Sequence, residues 1–378
     1  MLLKRFVFFV AVGATFLLPI TSIAQSNNSS KLRGWKTDLT KHSVSLDELM
    51  SGGPPKDGIP AIDNPEFESI NSARHWVSAK EPVISLKLAG VAKAYPIQIF
   101  IWHEIVNDTI AGKPVTVTFC PLCYSAVAFY RVLDGKPTTF GVSGMLRHSD
   151  MVMYDRASET LWQQILAEGI IGKYTGRKLK QLPAQIISFK DFSAAYPNGK
   201  VLSRPKGSSR PYGRNPYVGY DNINNRPFLF RGNIDKRLKP MEKIIVVTVG
   251  KTTKAYPYAT SRKSCVIEDK IENTPVVIFH TGSTVSALDA PKIANSHTVG
   301  ATGVFSPLVG GKKLHFRCTK KGEILDAGTN SRWTITGKAA SGKMKGNELS
   351  PIVHGDHFAF AWLSFKPETI IYSKENNP

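Results

Sequence analysis

Past residue 20 the sequence has no uncharged apolar run approaching the ~20 residues that cross a bilayer as a helix, which excludes a polytopic helical membrane protein. Cysteine is scarce: Cys120, Cys123, Cys265 and Cys318 are the four, and none directly follows the N-terminal apolar stretch, so no lipid-modified N-terminus is indicated. Acidic residues are few, 29 against 49 Lys plus Arg, leaving a formal charge of +20. In a cytosolic protein that excess would point to nucleic acid. No Arg/aromatic motif of the RNA-binding kind accompanies it, and the basic residues are scattered apart from clusters at 204–214 and 312–321. A disordered chain is also excluded, because 42% of the residues are hydrophobic and 10% aromatic.

What is present begins with an export signal. Lys4 and Arg5 precede an uncharged stretch, Phe6 to Ile20, of 15 residues, and Ser22-Ile23-Ala24 places small residues at a signal-peptidase site. A signal peptide over 1–24 and a mature start at Gln25 are expected, with no transmembrane span after cleavage. Export, periplasmic or secreted, removes the case for nucleic acid. It leaves the basic surface free to meet an anionic envelope component or acidic ligand. In an oxidising compartment an even cysteine count favours disulfides, and four cysteines allow three pairings. Cys265 with Cys318 is the expected bridge, leaving Cys120 and Cys123 as a local pair.

The chain resembles itself. Lys93-Ala94-Tyr95-Pro96 returns as Lys254-Ala255-Tyr256-Pro257, an offset of 161 that also aligns Asp108 with Asp269 and Pro114-Val115 with Pro275-Val276. An offset of 159 aligns Thr139, Gly141 and Gly144 with Thr298, Gly300 and Gly303; near 170, Asp155, Trp162 and Gly172 meet Asp326, Trp333 and Gly342. Ordered registers with small drifts are what insertions in surface loops produce. Both stretches read as strands with few, short helices. Glu81 to Ala94 is a hairpin turning at Ala89-Gly90, and Ala126 to Val142 a second hairpin around Asp134-Gly135. Pro96 to Trp102 and Asp191 to Ala195 are short helices.

The expected fold is therefore α+β and β-rich, built from two tandem diverged copies of one domain. An extended segment over 25–80 precedes the first repeat at 81–203, and a connector at 204–240 leads to the second repeat at 241–372. Tyr212, Tyr217 and Tyr220 in that connector suggest ordered chain packed across both domains, not a flexible linker. Trp162 and Trp333 read as core anchors.

Four motifs belong together: Gly52-Gly-Pro-Pro-Lys-Asp-Gly-Ile-Pro60, Trp102-His-Glu-Ile-Val-Asn-Asp108, Cys120-Pro-Leu-Cys123 and Ser149-Asp-Met-Val-Met-Tyr-Asp-Arg156. In combination they resemble the bacterial and archaeal domain-of-unknown-function family 3179 over most of the mature chain. The resemblance implies that the His-Glu and Cys-Pro-Leu-Cys motifs are part of the family pattern and carries no reaction with it.

Cys-x-x-Cys has three physical readings that weigh about equally here: a structural disulfide, half of a thiolate metal site, or a redox pair. At the 161 offset Cys120, Cys123 and His103 become Thr281, Thr284 and Ser264, a joint loss that suggests one unit. The preferred expectation is a copper or zinc ion held by Cys120, Cys123 and His103, since thiolate with imidazole suits those ions. Glu104 and the second copy's His354, Asp356 and His357 are secondary candidates, and His280 is a weaker one. One rival is a thiol-disulfide oxidoreductase using the same cysteines; another is a basic envelope-binding protein with a structural disulfide. Asp150, Asp155 and Arg156 read as a salt network at a turn, and Ser149 has no visible triad context.

Overall fold

The computed structural model describes residues 32–373. The expected signal peptide and its cleavage point lie outside the described residues. The architecture is β-rich with short helices, and among the described residues no helix is long and apolar enough to cross a membrane.

The first half opens with a hairpin, β1 (Pro82–Leu88) and β2 (Val91–Pro96), then α1 (Ile97–His103) and a second hairpin, β3 (Ile105–Ile110) and β4 (Lys113–Cys120). Both hairpins turn on Ala-Gly pairs, Ala89-Gly90 and Ala111-Gly112, with positive φ at both residues. That geometry matches the twist of the flanking strands. Next come β5 (Ser125–Tyr130), β6 (Phe140–Arg147), β7 (Asp150–Asp155), β8 (Leu161–Gln163) and β9 (Glu168–Ile171). The half closes with β10 (Gln181–Leu182), β11 (Ala184–Ser188), α2 (Phe189–Ala195) and β12 (Lys200–Leu202). Three sheets result, in the orders β11-β1-β2-β12, β10-β5-β4-β3 and β6-β7-β8-β9, the first and last extended by short strands at 67–69 and 50–51.

The second half runs β13 (Lys243–Val249), β14 (Thr252–Pro257), α3 (Tyr258–Ser264), β15 (Val266–Ile271), β16 (Thr274–Thr281) and β17 (Ala301–Ser306). It continues through β18 (Phe316–Cys318), β19 (Ile324–Asp326), β20 (Arg332–Trp333) and β21 (Ala339–Ser341). It ends with β22 (Ser350–Pro351), β23 (His354–Phe358), α4 (Ala359–Phe365) and β24 (Ile370–Ile371). Its sheets are β23-β13-β14-β24, β15-β16-β17-β22 and β18-β19-β20-β21.

Each half is tied by a buried knot that explains its Lys-Ala-Tyr-Pro motif. Lys93 Nζ lies 2.8 Å from Asp108 Oδ2, to which Tyr95 donates its hydroxyl at 2.6 Å. Lys254 and Tyr256 hold Asp269 at 2.9 and 2.7 Å in the same way. A tryptophan repeats the logic: Trp162 donates to Asp155 and Trp333 to Asp326, both indoles being buried core anchors. The main core gathers Phe100, Phe119, Phe129, Phe140 and Trp162 and continues into Phe358 and Phe360 of the second half.

Two sequence expectations change. Ser125–Tyr130 and Phe140–Arg147 belong to different sheets, and only the tip at Val132–Leu133 and Lys136–Pro137 pairs as a hairpin. The chain leaves one sheet at Tyr130 because Arg131 turns away to bond the carbonyls of Asp108 and Thr138. The 159 register likewise pairs residues on strands of different position. Thr139, Gly141 and Gly144 lie on or beside β6, whereas Gly303 lies on β17, which pairs with β16 as β5 pairs with β4. Near the N-terminus, Gly52 and Asp57 donate backbone bonds to Gly144 and Val142. Gly144, at φ 77°, accepts that segment because any Cβ there would meet the Pro54 carbonyl oxygen at 2.1 Å.

Tyr95→Phe and Tyr256→Phe should each lower unfolding free energy in urea by about 1–3 kcal/mol, since each removes a hydrogen bond to a buried carboxylate oxygen and leaves it to the lysine alone. A change under about 0.5 kcal/mol in both would show that the knots are not structural.

Candidate functional site

The Cys-Pro-Leu-Cys motif is a tight turn at the end of an interior strand. Cys120 ends β4, Pro121–Cys123 is one 3-10 turn, and Tyr124 in left-handed backbone (φ 52°) returns the chain into β5. Both cysteines are buried free thiols. A second tight turn, with His148 and Ser149 at φ 49° and 68°, delivers Asp150 to the same place. Non-glycine residues in this region store strain of order 1–3 kcal/mol each, and such positions cluster at functional sites. Glu104, at φ 57°, arrives from the end of α1, but Cys265 ends α3 with nearly the same angle, so that kink belongs to the scaffold.

Cys120 Sγ, Cys123 Sγ and a carboxylate oxygen of Asp150 all lie within 4.8 Å of one another, and all three residues are buried. Asp150 Oδ2 accepts from the Gln163 side chain at 2.6 Å and the Ile165 amide at 3.0 Å. Its other oxygen, Oδ1, is buried and has no partner besides the thiols of Cys120 and Cys123, which bond this carboxylate. No Lys or Arg forms an ion pair with Asp150 or Glu104 among the described residues. Burial therefore dominates the titration. It pushes Asp150 up to about 6, against the bonds from Gln163 and Ile165. It pushes Glu104 up to about 8, with Asp150 adding to the shift. Both thiols are raised by burial as well, Cys123 strongly. Left to itself the cluster keeps the protons of Glu104 and both thiols at neutral pH, while Asp150 is mostly ionised; a cation would have to displace the thiol protons.

His103 is adjacent in sequence yet engaged elsewhere. Its Nδ1 bonds the Pro60 carbonyl at 2.8 Å and its Nε2 the Tyr212 hydroxyl at 2.7 Å. Burial lowers its pKa, opposed by the Pro60 bond. The structure thus brings Cys120 and Cys123 together with Asp150, and uses His103 to hold the connector. That connector covers the cysteine turn: Tyr220 donates to the Leu122 carbonyl at 3.1 Å, and Ser149 donates its hydroxyl to the Phe228 carbonyl. It also reaches the second half, where Gly219 and Tyr220 donate to the Asp289 and Leu288 carbonyls.

The second half's candidates divide. His357 shares with Gly355 the face of β23 that meets a cleft between the halves, whereas His354 and Asp356 share its other face, where Asp356 accepts from Thr302 at 2.7 Å. Cys265 and Cys318 form a disulfide, as the sequence led us to expect. Asp155 does stabilise a turn, through Ser158, whereas Arg156 pairs with Asp63 and Asp57 of the N-terminal segment and Asp150 leaves that group for the cysteines. Sequence reasoning missed Asp150 and one further group. Lys243 is buried with its Nζ 3.6 Å above the Tyr124 ring and 3.9 Å from Asp221, and burial lowers it to about 8. Asp150 had one readable signal, its place directly after Ser149 in a motif shared with Cys-Pro-Leu-Cys. Lys243 had none.

The family model described as protein of unknown function (DUF3179) matches residues 56–369. The chain belongs to that family. The DUF3179 match runs from the extended segment through both halves, so the family's unit includes the cysteine turn, the connector and β23 together. No curated protein and no solved structure matches the chain.

Sign and size of the Glu104 shift give a test. A carboxyl raised to about 8 binds more protons folded than unfolded between its ordinary pKa and 8. Its burden on stability is absent below about pH 4 and grows as pH rises to about 8, reaching a few kcal/mol. Urea unfolding of metal-stripped protein across that range should show the fall, and Glu104→Gln should flatten it.

Proposed function

We propose that this DUF3179 protein is exported and holds a transition-metal ion, zinc or copper, between the thiolates of Cys120 and Cys123 and the carboxylate of Asp150. The observation that carries the reading is the buried trio within 4.8 Å, with one Asp150 oxygen met by nothing except the two thiols. Two thiolates with a carboxylate form a donor set that suits zinc, and copper competes through its affinity for sulfur. The fit also answers a charge problem, since no basic side chain balances these acids. Glu104 would adjust the field from beyond the ligands, and His103 would fix the connector through Tyr212. Export rests on the leader-like sequence at 1–24 and on the disulfide, which suits an oxidising compartment.

The same reading includes an internal duplication, with repeats over 81–203 and 241–372, a leading segment over 25–80 and a connector at 204–240. Five consecutive elements support it: β1, β2, α1, β3 and β4 recur as β13, β14, α3, β15 and β16, each 161 residues later. From β5 and β17 the spacing becomes 176, because residues 282–300 replace the short Cys-Pro-Leu-Cys turn. The second copy thus lost the cysteines by rebuilding the turn that held them.

A second reading uses the same thiols as a redox pair, passing two electrons and two protons to a partner disulfide. Their mutual hydrogen bond favours it; their burial and raised pKa values oppose it.

Protein purified from the envelope fraction should carry about one equivalent of zinc or copper, lost in Cys120→Ser and Asp150→Asn and kept in His103→Ala. Binding should weaken steeply below pH 6, because protons and metal compete for the same atoms. A metal-free protein that takes up no zinc or copper after reduction would overturn the reading.

A further inference from the structure

Between residues 218 and 239 the connector is tied into one folded loop. Asn225 Nδ2 donates to the carbonyls of Gly219 and Tyr220 at 2.7 and 3.3 Å, and the Phe228 amide donates to the Tyr220 hydroxyl at 3.3 Å. Lys239 Nζ donates to the Asn224 side chain at 3.2 Å. Phe230 anchors the loop by its ring, 5.2 Å from that of Phe360 and 5.9 Å from that of His148 between centroids.

This anchored loop nevertheless leaves apolar side chains in solvent. Val218, Ile223, Phe228 and Ile234 are 56, 43, 58 and 43% exposed. They are four of the seven large hydrophobic residues exposed among the described residues, and the other three, Val91, Leu308 and Ile370, stand singly elsewhere in the chain. Single exposed apolar residues are normal, whereas a concentration of them marks an interaction surface. Phe228 is the clearest case: its amide and carbonyl are both bonded, to Tyr220 and Ser149, while most of its ring stays out. Arg226, Arg231 and Lys236, all exposed, lie among these residues in the chain. None of the three forms an ion pair among the described residues, because the loop's own acids are taken. Asp235 pairs with Arg237 at 2.6 Å, and Asp221 is buried and accepts from Ser286.

Apolar side chains interleaved with unpaired cations suit the boundary between lipid head groups and acyl chains. Aromatic and branched side chains enter that boundary, and guanidinium groups bond phosphate oxygens in pairs. A protein partner would have to bring its own groove for Phe228; a lipid surface needs none. We propose that this loop docks the protein on an anionic phospholipid surface, with Phe228 as the apolar anchor and Arg226, Arg231 and Lys236 on the phosphates. The same loop covers the cysteine turn, through Tyr220 on Leu122 and Phe228 on Ser149, so docking sets that turn close to the membrane. The proposal does not depend on a metal being held there.

The test is co-sedimentation of protein whose first residue is Gln25 with phosphatidylcholine vesicles containing about one third phosphatidylglycerol, beside pure phosphatidylcholine. Binding is expected to the mixed vesicles only, and is lost at about 0.5 M salt. Arg226→Gln with Arg231→Gln should weaken it about tenfold or more, since each cation near an anionic surface contributes about fivefold. Lys312→Gln with Lys313→Gln removes the same charge from an exposed turn of the second half and should change it less than about twofold. Phe228→Ser should weaken it about fivefold or more. That variant keeps the loop folded, because the bonds of Phe228 are made by its backbone. Absence of binding to the mixed vesicles would leave the patch to a protein partner and overturn the proposal. Equal losses in the two charge variants, or unchanged binding in Phe228→Ser, would overturn it as well, by showing adsorption through overall charge.

Discussion

Burial of acid without a neighbouring base is the constraint on which the centre of this molecule turns. Elsewhere the fold handles buried carboxylates by pairing them. Asp108 and Asp269 each receive a lysine and a tyrosine, and Asp155 and Asp326 each receive an indole and a turn hydroxyl. Around Cys120 and Cys123 the same fold places two more carboxyls and two thiols and supplies no cationic side chain. The thiols and Glu104 therefore hold their protons beside a single ionised Asp150, or the group shares a cation. The first state explains their raised pKa values; the second is the proposed function.

The scaffold was more legible in the sequence than the site. Lys-Ala-Tyr-Pro, its later echo and the Ala-Gly and Asp-Gly turns all act locally, so spacing alone places β1 to β4 and their later counterparts. The 159 register failed where the chain rebuilt a loop, because a run of shared Thr and Gly residues can align across an insertion. The cysteines were visible as a motif. Asp150 was obscured by lying in a charged run with Asp155 and Arg156, and only its sheet position separates it from them. His103 was misleading for another reason: its replacement together with the cysteines at the 161 offset suggested one unit, yet its ring is held by Pro60 and Tyr212.

The two halves carry their differences at matching positions. A turn with two cysteines in one corresponds to the long loop 282–300 in the other, and Gln185 on β11 corresponds to Gly355 on β23. The knots, the anchoring tryptophans and the order of strands in all three sheets are alike. The two halves differ in turns and in single side chains between sheets of like order.

The connector's path has a consequence for the order of events during folding. Tyr212, Tyr220 and Phe228 are bonded to His103, Leu122 and Ser149, residues that leave the ribosome well before them. Until the chain through Phe228 has followed, the cysteine turn lacks its cover and stands open to solvent, oxidants and ions. Vectorial synthesis therefore gives the thiols an interval of freer access than they have in the finished protein.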